Sequence, residues 1–336
     1  MAPPIPKPPP GAVVRALKIA IANAHCIPVL VRLGVFDRLD GRRSRVEEIA
    51  ADTGTDAASL ARVLAFCGCA GLVRADGDGS LELTEIGQML VRDHAESFAG
   101  DAAVRGARRY VERWDGLEAI LRGGTRSAAG VDLDVLDRAH VVAAHRVALA
   151  DYAAAFSRSE TYVDVESGDP ALLAAVLQKS ARSDGVLVGK AADLERAKSA
   201  LSAARVAQRC ELVLSQDTLP PGDAYIVSHR LEALGDDEAV ALLSRVRRAM
   251  KPTSRVLVIG PALRNPYDQI DIEGAASDLE MLLLTPGGKL RSQQELHALC
   301  ARASLAAKPA RFVGTTRTLA GEMHAGQIIE ATAAPG

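Results

Sequence analysis

TYVDVESGDPALLAAVLQKSARSDGVLVGK, residues Thr161–Lys190, decides the fold. Tyr162-Val163-Asp164-Val165 is a short β-branched run, Gly168 and Asp169-Pro170 carry turn chemistry, and Ala171 to Gln178 are strong helix formers. Pro170 suits a first helical position, where its missing N–H costs nothing. Val186-Leu187-Val188 then reads as a second strand. In a strand–turn–helix unit of this kind, α/β folds place a nucleotide at the turn, where glycines let the backbone come close. Here one glycine survives, and Glu166 stands where a small neutral residue is needed. The stretch has the shape of a cofactor loop without its usual chemistry.

Downstream the same alternation repeats. Strands are expected at Glu211–Leu214, Tyr225–Val227 and Val256–Ile259, with two later ones near Ala310–Val313 and Gln327–Glu330. Helical patterns lie between them at Ala192–Ala204, Asp236–Met250 and Ser292–Ala303. Repeated units of this kind predict a mostly parallel, doubly wound sheet with ligands at the carboxyl ends of its strands.

Upstream the chain changes character. MAPPIPKPPP predicts a disordered proline-rich leader over residues 1–12. Val13 to Leu39 recurs at helical spacing, with Pro28 as a kink or break. Val46 to Ala51 forms a short helix, Gly54 a turn, and Asp56 an N-cap before a helix ending near Gly71. Leu72 to Leu83 closes around Asp76-Gly77-Asp78-Gly79 as a hairpin, and Thr84 caps a further helix. Ser44 to Leu90 is thus a winged helix-turn-helix pattern. Its second helix offers only Arg62 as a basic residue, too little for reading phosphates or bases, so a packing or dimerisation role is expected. Residues 101–158 read as a helical linker and pocket segment, with Trp114, the only tryptophan, in YVERWDGLEAILRGG. His140 and His145, five apart, do not share a helix face as a metal pair would.

At 336 residues the chain accommodates about two domains, and 48% hydrophobic with 24% charged residues is ordinary for a soluble protein. A net charge of −2 gives no basic footprint for nucleic acid and no pull towards an acidic membrane. The five scattered cysteines imply neither a disulfide framework nor a metal site, and Cys67-Gly-Cys69 reads as two core residues. No apolar run approaches the ~20 residues of a membrane span, so a cytoplasmic protein is expected.

Taken together, the two halves resemble the S-adenosylmethionine-dependent O-methyltransferases of plant (caffeate-type) and actinomycete (polyketide-tailoring) secondary metabolism. The resemblance runs from about Val13 to Ala331. Its markers are AADTGTDAASLARVLAFCGCAGLV, the TYVDV strand, GDAYIVSHRLEALGDDEAVALLSRVRRAMKP and DLEMLLLTPGGKLRSQQEL. It implies a Rossmann-like class I methyltransferase sheet over 159–336 behind an all-helical winged-helix dimerisation domain over 13–100. It also implies a homodimer formed through that domain and an acceptor pocket between the two domains.

The family's working residues do not carry over. Asp164, Gly168 and Asp217 are what remains of the cofactor set, and Glu166 would sit beside the cofactor's carboxylate as a like charge. The second strand, where the family has an acid for the ribose hydroxyls, is followed by Gly189-Lys190. The position of the family's catalytic histidine falls on Glu232, with His229 three residues before it. The acid that orients that histidine is replaced by Gly260. Asp278 and Met281 fall on the stretch lining the family's acceptor pocket, and His25 and Trp114 are further substrate-binding candidates. Four changes together predict an enzyme that has lost methyl transfer and needs no cofactor. Glu232 and His229 would then perform acid/base chemistry (cyclisation, rearrangement or dehydration) on a small natural-product intermediate. The alternatives are an active O-methyltransferase using S-adenosylmethionine through an atypical loop, with Glu232 as base, and a catalytically silent partner of an active paralogue.

Overall fold

The computed structural model describes residues 10–94, 97–124, 156, 160–261, 272–318 and 321–335. His140 and His145 lie outside them, as does most of the leader. The chain divides into two compact units, Met1–Asp115 and Gly116–Gly336.

The first unit runs α1 (Pro10–Leu33), α2 (Val35–Leu39), α3 (Val46–Thr53), α4 (Ala57–Cys69), β1 (Val73–Ala75), β2 (Leu81–Leu83), α5 (Glu85–Gln88), α6 (Ala99–Arg105) and α7 (Arg108–Asp115). Its boundaries follow local chemistry. The Asp56 carboxylate accepts the Ser59 N–H at 2.8 Å to start α4, and Gly54 ends α3 in the left-handed region at φ 64°. β1 and β2 pair antiparallel as the expected wing. Leu30, Phe36, Leu39, Ile49, Leu60, Leu64 and Cys67 make the core, whereas Cys69 is exposed, because it lies on the outer face of α4. Pro28 does not break α1. It packs so closely on Gly106 that a Cβ there would come within 2.0 Å of the proline ring, and Arg32 donates to the Gly106 carbonyl one turn later. Contrary to expectation, α1 is long and apolar enough over Ala16–Leu33 to cross a membrane, by length and composition alone. That stretch is only 17% buried, with Leu17, Ile19 and Ile21 exposed.

The second unit holds α8 (Leu117–Leu121), β3 (Thr161–Val165), α9 (Ala171–Lys179), β4 (Asp184–Gly189), α10 (Ala191–Ala203), β5 (Cys210–Leu214), β6 (Ala224–Ser228), α11 (Asp236–Ala249), β7 (Arg255–Gly260), α12 (Ile272–Leu284), α13 (Gln293–Arg302), β8 (Leu305–Ala307), β9 (Arg311–Thr318) and β10 (Gly321–Ala333). Its sheet has the order β5-β4-β3-β6-β7-β10-β8, with β9 pairing β10. The first five strands are parallel and β10 runs antiparallel to β7. This is the predicted doubly wound sheet. Alternate side chains feed two cores. Val163, Val165, Val188 and Val227 pack under α11 and α13, while Tyr162, Leu187 and Ile226 pack under α9 and α10. At the amino end of the strands the buried Arg255 pairs with Glu160 at 2.6 Å and Glu330 at 3.3 Å. The carboxyl ends of β3 to β7 form the opposite crest, where the order reverses between β3 and β6.

Candidate active site

The loop after β3 takes its shape from two left-handed residues, Glu166 at φ 58° and Gly168 at φ 75°. Asp164, wholly buried at the end of β3, accepts the Ser167 N–H on Oδ1 at 3.2 Å. Its Oδ2 has no partner among the described residues. Burial pushes its carboxyl up to about 7, against the lowering effect of the Ser167 hydrogen bonds. Asp169 accepts the Ala171 N–H at 2.9 Å and so anchors the start of α9.

Glu166 behaves differently from what the sequence predicts. Its carboxylate takes the Ser215 hydroxyl, lies 2.5 Å from an Arg245 nitrogen and 3.5 Å from an Arg230 nitrogen. Burial alone would push this carboxyl upward, but the Ser215 hydroxyl and the two guanidiniums outweigh it and hold the group below its ordinary value. Two guanidiniums against one carboxylate leave a net positive charge. The charge of Glu166, read from the sequence as bare, is paired from α11 and from the end of β6. The Nε atoms of both arginines are buried without partners among the described residues. No sequence pattern flagged Arg245 or Ser215, which lie 79 and 49 residues from Glu166.

The end of β6 carries the second cluster. His229 is left-handed at φ 50°, and its N–H donates to the Ile259 carbonyl at 2.8 Å. A strained backbone at a non-glycine residue is common where a side chain must be aimed. The His229 Nδ1 stands 3.1 Å from Glu232 Oε1, and both side chains are about nine-tenths buried. Glu232 lies on a short 3₁₀ turn, Leu231–Ala233. A Cβ built on Gly260 would meet Glu232 Oε2 at 3.4 Å. The Glu232 carboxylate thus lies against the position from which the expected orienting acid is missing. A histidine and a carboxylate are thus held together at the end of β6. Arg291, buried after α12, holds this turn by donating to the carbonyls of Leu231 at 2.5 Å and Leu234 at 2.8 Å, and it pairs with Asp236. Arg291 sits inside the stretch that carries the resemblance, yet nothing in the sequence links it to the turn 60 residues away.

The remaining candidates are dispersed. Asp217 is exposed on the loop after β5. Asp278 is engaged structurally, its Oδ1 accepting the Leu290 N–H at 2.7 Å, and the Met281 carbonyl accepts the Thr285 hydroxyl on the same helix–loop corner. His25 and Trp114 come together in the first unit, where they line a cavity of about 590 Å³ with Ile21, Asn23, Pro28 and Tyr110. Its lining is mainly apolar.

Comparisons with known proteins agree with this geometry. The O-methyltransferase domain family matches residues 131–306, and the O-methyltransferase dimerisation domain matches residues 20–93. The mitomycin biosynthesis 6-O-methyltransferase of Streptomyces lavendulae is 30% identical over 329 residues, covering 88% of this chain and 91% of that one. The solved structure of mitomycin 7-O-methyltransferase superposes with a TM-score of 0.83 at 26% identity, covering 96% of this chain and 98% of that one. An O-methyltransferase of neocarzinostatin biosynthesis, solved with S-adenosylmethionine and 2-hydroxy-5-methyl naphthoic acid, has a TM-score of 0.72 at 28% identity, covering 93% and 96%. These relatives are named as working methyltransferases, and one was solved with the cofactor bound. That overturns the expectation of lost methyl transfer and of cofactor-free chemistry. At the substituted positions themselves, Glu166 is paired by two arginines and the Glu232 carboxylate lies against Gly260. The chain belongs to the O-methyltransferase family, with a dimerisation domain ahead of its methyltransferase domain.

Proposed function

We propose that the chain is an S-adenosylmethionine-dependent O-methyltransferase acting on a hydroxylated natural-product intermediate, working as a homodimer. The buried His229–Glu232 pair at the end of β6 carries this reading. The residues at the crest fit the cofactor. A Cβ on Gly168 would meet nothing within 4 Å, so the loop is open to a ligand, and the Glu166–Arg230–Arg245 cluster offers a net positive charge to a carboxylate. The 167–169 loop and Arg230 would hold the cofactor's amino-acid end, and Asp164 fixes that loop through Ser167. When bound, S-adenosylmethionine supplies an electrophilic methyl group.

The work left to the protein is to take a proton from the acceptor hydroxyl and to hold it. Glu232 and His229 share that proton, the carboxylate stabilising the imidazolium that forms. Arg291 keeps Glu232 on its turn, and burial of the pair keeps competing water away.

The deciding experiment is calorimetric titration of the full chain with S-adenosylmethionine and S-adenosylhomocysteine. It is followed by incubation with a panel of hydroxylated naphthoates and quinones, read by mass spectrometry. Micromolar binding and a mass gain of one methylene on an acceptor oxygen are expected. No heat with either ligand at millimolar concentration would overturn the proposal.

A further inference from the structure

We propose that Glu166, on the loop after β3, supplies the carboxylate that accepts the hydroxyls of the cofactor's ribose; this rests on the methyltransferase reading above. In dinucleotide-binding α/β folds the vicinal diol of a bound nucleoside is met by a carboxylate beyond the second strand of the unit. Here β4 gives way to Lys190, which carries the opposite charge. Two neighbouring loops close over that strand end. The Glu166 N–H donates to the Val188 carbonyl at 2.9 Å, and the Ser215 N–H donates to the Gly189 carbonyl at 2.8 Å. Their side chains meet, the Ser215 hydroxyl donating to Glu166 Oε1. The carboxylate therefore lies over the end of β4 although the chain attaches it to β3.

Its remaining contacts leave capacity for a ligand. Arg245 and Ser215 both use Oε1, while among the described residues Oε2 has only the longer Arg230 contact at 3.5 Å. A carboxylate oxygen accepts two hydrogen bonds, so Oε2 retains room for a hydroxyl. The side chain keeps 20% of its surface exposed. The left-handed backbone at Glu166, unfavourable for any residue but glycine, is the local strain that turns the side chain over its neighbour's strand.

The test is titration of the wild-type chain, Glu166→Gly and Glu166→Gln with S-adenosylhomocysteine and with its 2′-deoxy analogue. Thermal unfolding of each variant accompanies it. Wild type should bind the deoxy analogue about 10- to 100-fold more weakly, the worth of one hydrogen bond to a charged group. Glu166→Gly, which also relaxes the left-handed backbone, should lose a similar factor for S-adenosylhomocysteine and become indifferent to the 2′-hydroxyl. Glu166→Gln, which keeps the shape, should lose less. Three results overturn the assignment alone: an unchanged 2′-hydroxyl penalty in both variants, a wild type that does not distinguish the ligands, or tighter S-adenosylhomocysteine binding by Glu166→Gly. Wild-type protein that binds neither ligand overturns the methyltransferase reading and this inference together.

Discussion

Glu232 and His229 touch at 3.1 Å in a site that excludes most solvent, so changing either side chain changes the contact of both. Glu232→Gln keeps the shape and removes the charge. It should lower methyl-transfer turnover by roughly 10²- to 10⁴-fold while leaving S-adenosylhomocysteine affinity unchanged. His229→Asn should do the same, and the double variant should be no worse than the weaker single, because the two act as a unit. Independent, multiplying losses would show that they do not. Asp164 makes a second prediction at this scale. Burial raises its pKa from 3.8 to about 7, so the folded chain keeps a proton that the unfolded chain releases. Its contribution to stability is full below pH ~4 and falls as pH rises through ~7. Glu166 and Asp236, whose pKa values are lowered, act in the opposite sense and lose their contribution as pH falls. Asp164→Asn isolates the first effect. In urea unfolding across pH 4 to 7, wild type should lose up to about 4 kcal/mol relative to Asp164→Asn, at ~1.4 kcal/mol per pKa unit. A difference that stays flat over this range would remove Asp164 as its source.

Among the elements, the wing of the first unit shows how little tolerance a small motif has. Thr84 donates its hydroxyl to the Gly71 carbonyl at 2.6 Å and accepts the Gly87 N–H at 3.1 Å, which ties β2 and α5 to the end of α4. A Cβ on Gly87 would stand 2.0 Å from the Leu72 carbonyl oxygen. Backbone there cannot yield without losing the Thr84 N–H bond to that same oxygen at 3.1 Å. Gly87→Ala should therefore cost about 1–3 kcal/mol in chemical denaturation. Ile86→Ala, at an exposed neighbour, should stay within about 0.5 kcal/mol. Equal effects at the two positions would argue against the close approach. The second unit is secured by a capping box. The Ser292 hydroxyl accepts the Glu295 N–H at 3.3 Å while Glu295 accepts the Ser292 N–H at 2.9 Å, and α13 begins there beside Arg291.

For the molecule as a whole, the exposed apolar residues of α1 are the feature a lone chain does not explain. Leu17, Ile19 and Ile21 are exposed by 60%, 50% and 62%, on a helix whose later part belongs to the matched dimerisation domain. Apolar surface of this extent marks an interaction face. Wild type should sediment as a dimer, and Leu17→Lys with Ile21→Glu should sediment as a folded monomer with unchanged helical circular dichroism. A wild-type monomer at micromolar concentration would remove the dimer from the proposed function.

The sequence alone determined the architecture, because periodicity and turn chemistry are local. Runs such as Tyr162–Val165 and Val256–Ile259 read as buried strands, and Asp56 and Thr84 announced their helices. The family, too, was legible, from motifs that lie along the chain. The site was legible only in part. Glu232 and His229 are three residues apart, so one turn brings them together and the sequence could nominate both. Glu166 stands far along the chain from Ser215, Arg230 and Arg245, and whether its charge is bare or paired depends on which strands are neighbours. Read along the chain, Glu166 and Gly260 were losses. The sheet order places α11 against the β3 loop and Glu232 against Gly260, so each stands beside a partner the linear sequence does not show, since electrostatics and packing act through space and not along the sequence.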